Sequence, residues 1–74
     1  MSRYVVQQVS LRRDKFSKGE AYDWIRKHGY AITKPAHVSP HFYQFRQVDP
    51  ARLHGARFRT IDLGHDGHMI VAYF

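Results

Sequence analysis

The chain of 74 residues carries twelve Lys and Arg against six acids, for a formal charge of +6, and is 43% hydrophobic and 15% aromatic. Such a length allows one core, so residues 1–74 are read as a single domain, too apolar for a disordered tail. Cysteine is absent, which excludes disulfides, thiolate nucleophiles and cysteine-type zinc sites.

In chain order, residues 3–12 are rich in β-branched side chains and predict a strand. Val5, Gln7, Val9 and Leu11 share one face, taken as the core face; Tyr4, Val6, Gln8 and Ser10 share the other. Arg12, Arg13, Asp14 and Lys15 make a charged connection. The stretch from Phe16 to Tyr30 then reads as one complete amphipathic helix. Ser17 can cap its first turn, with Glu20 reaching back as a capping box. Ala21, Trp24, Ile25 and His28 recur at i, i+3, i+4, i+7 and form the apolar stripe. Gly29 sits where a left-handed residue ends a helix, and Tyr30 follows where a ring can fold back. Asp23 and Lys27 form an i, i+4 pair on the wet side.

Pro35 and Pro40 mark residues 31–40 as a loop, with Ile32 pinning it to the core. Residues 41–48 predict a second strand, with Phe42, Gln44, Arg46 and Val48 on one face and Tyr43, Phe45 and Gln47 on the other. Asp49-Pro50 breaks it, and residues 51–56 form a connector with a short helical turn. Residues 57–63 predict a third strand, Gly64-His-Asp-Gly67 carries an Asp-Gly hairpin signal, and residues 68–74 a fourth strand. Together these elements predict an α+β fold in β-α-β-β-β order. A single helix packs on one face of a mostly antiparallel four-stranded sheet. The opposite face is left open.

Three constellations bear on function. Tyr43, Phe45, Arg46, Arg57, Phe58, Arg59 and Tyr73 alternate along neighbouring strands, and a sheet with aromatics between cations can stack bases and hold phosphates. In that reading Arg46, Arg57 and Arg59 hold phosphates, while Tyr43 and Tyr73 offer stacking surfaces. The plain alternative is that half of these aromatics are core and the arginines form a solvated edge that blocks strand pairing. A second basic group, Arg12, Arg13, Lys15 and Lys18 with Arg26 and Lys27, is interrupted by Asp14, Glu20 and Asp23, and reads as a solvated face. The third is histidine. His65 and His68, joined by His37 or His41, lack the converging spacing of a zinc site, so neither metal nor cofactor is expected. His28 suits a helix C-terminus.

Catalysis is not expected. The carboxylates sit beside arginines or in turns, no serine lies in a nucleophile motif, and no glycine-rich phosphate loop is present. A metal-assisted nuclease built on Asp62, Asp66 and the nearby histidines is a distant third reading.

Lys15-Phe16, Ala21, Trp24, Lys27-His-Gly-Tyr30, Phe42-Tyr-Gln-Phe-Arg-Gln-Val-Asp-Pro50 and Phe58-Arg-Thr-Ile-Asp-Leu-Gly64 form a further pattern. Across residues 5–74 it resembles a small module of tailed bacteriophages and large DNA viruses, found alone or attached to larger virion or DNA-handling proteins. The resemblance implies a viral context and no catalytic residues. The loop at 34–41, with its prolines and histidines, departs from the short acidic turn of that module, so any site on that turn is not carried over.

The expectation is therefore a non-enzymatic viral accessory module that binds DNA or RNA through a basic and aromatic sheet face. The alternative is a protein-interaction module in virion assembly or host-factor inhibition, able to self-associate as a homo-oligomer. No apolar run reaches a membrane span and no signal-peptide core is evident, which places the expected site of action in the host cytoplasm or the virion.

Overall fold

A computed structural model describes residues 4–73. Arg3 and Phe74, read above as strand residues, lie outside the described residues. The elements are β1 (Tyr4–Arg12), α1 (Lys18–Lys27), β2 (His37–Val38), β3 (Phe42–Arg46), β4 (Arg57–Asp62) and β5 (Gly67–Tyr73), with a 3-10 turn at Pro50–Arg52. Every strand pair is antiparallel, in the order β2-β3-β1-β5-β4. The predicted class holds, with one α-helix against an antiparallel sheet, but the sheet has five strands rather than four. The addition is β2, inside the segment read as a loop. Pro35 and Pro40 bias their neighbours toward extended backbone. Ser39 then closes a tight turn: its N–H and hydroxyl donate to the Phe42 carbonyl, and its Oγ accepts from the Phe42 N–H at 3.1 Å. That turn sets His37 against Gln44 and Val38 against Tyr43.

Helix α1 forms where its local signals place it. Ser17 is the N-cap, and the capping box is complete: Ser17 Oγ accepts from the Glu20 N–H, and the Glu20 carboxylate accepts from the Ser17 N–H at 3.0 Å. At the other end Gly29 takes φ +76°, and the N–H groups of Gly29 and Tyr30 donate to Arg26 and Ile25, a Schellman closure. The Ser17 backbone N–H, followed by its hydroxyl, holds the Glu20 carboxyl below its ordinary value of 4.5. A depressed carboxyl stabilises the fold above its ordinary pKa, and that contribution is lost as pH falls through the lowered value. Ser17→Ala is expected to cost about 1 kcal/mol. Glu20→Gln should flatten the decline in wild-type stability below about pH 4, which urea titrations at several pH values would read.

The helix buries Ala21 and Ile25 against Val9 and Leu11 of β1 and Phe45 of β3. Tyr22 meets Phe45 edge-on at 5.1 Å, and its hydroxyl accepts from the Ala36 N–H at 2.8 Å, which ties the segment before β2 to the helix. Trp24 is half-buried and stacks on His28 at 3.7 Å, so the His28 end of the predicted stripe stays in solvent. Over β4 the cover is missing, and all six of its residues are exposed.

A bulge changes the phase of β1. Val6 pairs with Val71 and Gln8 with Ile70, which leaves Gln7 as the extra residue. Val9 and Leu11 face the helix as predicted, but before the bulge it is Val6 that packs on this core, in place of Val5. Gln7 is buried for a different purpose. Its carbonyl accepts from Gln47 and Val48, and its side-chain amide donates to the Val48 carbonyl at 3.2 Å. The connector from β3 to β4 is thereby anchored at the end of the sheet.

The hairpin between β4 and β5 is present, but its reversal lies in residues 64–66 and is not centred on Asp66-Gly67. Gly64 has φ +72°, while Gly67 already opens β5 with φ +149°. The Asp62 carboxylate accepts from the Gly64 N–H at 2.9 Å, which favours the earlier turn.

Candidate nucleic-acid interface

Directly opposed residues share a face of the sheet, so the register assigns every strand side chain. Tyr43, Phe45, Val9, Leu11 and Met69 share the face that the helix covers. Gln44, Arg46, Gln8, Ser10, His68, Ile70, Thr60 and Phe58 lie on the other, which no helix covers.

This assignment separates the five predicted site residues. Arg46 stands exposed on the open face. Tyr43 lies on the helix side, half-buried against the core, with the Arg13 guanidinium 5.6 Å from its ring centre. Arg57, Arg59 and Tyr73 occupy the helix-side face where the helix does not reach: Arg57 opposes Tyr73, and Arg59 opposes Val71. Tyr73 lies beside Tyr4, with ring centres 5.9 Å apart. Arg46 is alone among the five on the open face. Alternation within β3 was legible, since Arg46 and Tyr43 fall on opposite sides there. The phase between strands depends on register, which a single strand does not carry.

Two clefts open on the uncovered face. The smaller, about 370 Å³, is lined by Gln8, Lys34, Pro35, His37, Gln44 and Arg46. Its lining holds two cations, an imidazole and two amides, and no carboxylate. The larger, about 650 Å³, lies at the hairpin end among Arg12, Arg13, Asp14, His41, Phe42, Asp62 and His68. Its cations are engaged. Arg12 grips Asp14 with two nitrogens, Nε to Oδ1 at 3.0 Å, and this holds the Asp14 carboxyl below its ordinary value. Arg13 donates to the Ser39 carbonyl at 2.8 Å. Lys34 and Arg46 form no ion pair among the described residues. The smaller cleft is therefore the better place for an anion despite its size.

No family model, curated protein or solved structure matched this chain. Its chemistry is read from its own residues. Elsewhere on the open face, Phe58 adds a ring at the β4 edge that is 50% exposed, and Phe42 meets His68 edge-on at 4.9 Å beside the larger cleft. Sequence reasoning passed over Gln8, Gln44 and Phe42, although the alternation of β3 set Phe42 and Gln44 beside Arg46. Lys34 had no periodic signal, because the segment that carries it reaches the cleft only through the pairing of β2. Among the described residues no group of three or more His, Cys, Asp or Glu could hold a metal ion. Nor is any helix among them long and apolar enough to cross a membrane.

Proposed function

We propose that this chain is a non-enzymatic nucleic-acid-binding module, of the viral accessory type its sequence resembles, and that a single strand lies across the open sheet face. The observation that carries this reading is the carboxylate-free cleft with Lys34 and Arg46 at its rim. Phosphates sit against those two cations, Gln8 and Gln44 present amides to base edges, and Phe58 offers a face for stacking. A charge of +6 steers the polyanion to the chain. In this arrangement Arg57 and Arg59 lie around the β4 edge and outside the main track of the strand.

Fluorescence anisotropy with labelled single- and double-stranded oligonucleotides at two salt concentrations tests the reading. Affinity should fall steeply with salt, and Arg46→Ala should reduce the salt slope by about one. Phe58→Ala should weaken single-strand binding by about 1–3 kcal/mol. Binding that ignores salt, or no binding at low salt, would reject the proposal. Oligonucleotide incubated with protein and added divalent metal is expected to stay intact.

A further inference from the structure

The two edges of the sheet differ. At one, β2 is two residues long and offers little to pair with. At the other, β4 runs for six residues with no proline or bulge, and among the described residues β5 is its sole neighbour. The hydrogen-bond phase of β4 follows from its end. Leu63 donates to the Gly67 carbonyl at 2.9 Å, so the odd-numbered residues of β4 turn their backbone groups toward β5. On the far side of β5, Arg12 donates to the Asp66 carbonyl, which gives the even residues of β5 to β1 and agrees with that phase. The N–H and C=O groups of Phe58, Thr60 and Asp62 therefore point out of the sheet.

Side chains add a preference. Arg57 and Arg59 lie on one face, about 7 Å apart along the strand, and neither forms an ion pair with a described carboxylate. Phe58 and Ile61 are 50% and 36% exposed on opposite faces. A second copy of the chain fits this edge poorly. Antiparallel pairing about Thr60 would set Arg59 opposite Ile61 and Phe58 opposite Asp62, leaving both arginines without an anion. It would also bring together two chains of charge +6.

We propose that the β4 edge accepts an extended segment of an acidic protein as a sixth strand. That segment bonds to the outward groups of Phe58, Thr60 and Asp62. Carboxylates at alternate positions meet Arg57 and Arg59, and an apolar residue on the other face covers Phe58. This surface shares Phe58 with the nucleic-acid reading but none of the residues that line the Arg46 cleft.

The probe is a capped synthetic hexapeptide of alternating glutamate and valine, with a lysine–valine peptide as control, titrated into the full chain and followed by amide NMR. The acidic peptide should bind, and the amides of Phe58, Thr60 and Asp62 should gain protection from exchange. Thr60→Pro removes an outward N–H that β5 does not use, and should abolish binding. The exposed double variant Arg57→Glu/Arg59→Glu should weaken it about tenfold or more without touching the core. Arg46→Ala should leave it unchanged, which separates this proposal from the nucleic-acid reading. Absence of binding, equal binding of the lysine peptide, or unchanged amides along β4 would overturn the proposal. So would concentration-dependent dimerisation through the same amides, which would make a second copy the occupant.

Discussion

Gly67→Ala is expected to destabilise the fold by about 3 kcal/mol, at the upper end of what overpacking costs. A Cβ at this position would stand 2.1 Å from the Ser10 carbonyl oxygen, 3.0 Å from the Ser10 carbonyl carbon and 3.1 Å from the Leu11 Cα, all closer than ordinary van der Waals contact. All three neighbours are backbone atoms of β1, so no side chain can swing aside. Its φ of +149° adds strain for any residue with a Cβ. The strand pair concerned is central, since β1 and β5 both lie inside the sheet. A domain of this size has about 4–11 kcal/mol to lose. Gly64→Ala is the control, because Gly64 has φ +72° but open space around it, and should cost only about 1 kcal/mol. Urea unfolding followed by Trp24 fluorescence reads both. Equal midpoints for the two variants would rule out the close approach to β1 as the cause.

Ile25→Ala should cost about as much, by the opposite mechanism. Ile25 is fully buried where the helix meets Val9, Leu11 and Phe45, so truncation leaves a cavity worth about 2–5 kcal/mol. A helix of ten residues has little stability of its own in water, and its place on the sheet rests on this contact. Loss of helical circular dichroism should therefore coincide with loss of the near-ultraviolet aromatic signal. Ile61→Ala, at an exposed position on β4, should stay within about 0.5 kcal/mol of wild type. If the two substitutions cost the same, the core would not lie between α1 and the β1–β3 pair.

Both substitutions bear on the candidate site only through the fold. Gly67 opens β5 at the rim of the larger cleft, and Ile25 lies on the covered side of the sheet. A surface variant such as Arg46→Ala should leave stability within about 0.5 kcal/mol. Lost binding in that variant would then report on the open face and not on unfolding.

What local contacts decide is written in the order of the residues alone. Ser17 with Glu20, the Ala21 and Ile25 pair, and Gly29 with Tyr30 specify the start, buried face and end of α1, because each signal acts within one or two helical turns. Alternation in β3 and β4, and the presence of a hairpin partner for β4, were legible for the same reason. Tertiary structure decided the rest. The bulge at Gln7 exists because its backbone and side chain serve residues 47 and 48, forty positions away. Strand β2 exists because β3 offers it an edge, and two residues carry no periodic signal of their own. The positions of Arg46 on one face and Arg57 and Arg59 on the other follow from inter-strand register. That register is set by long-range pairing, and a shift of one residue turns every side chain of a strand to the opposite face.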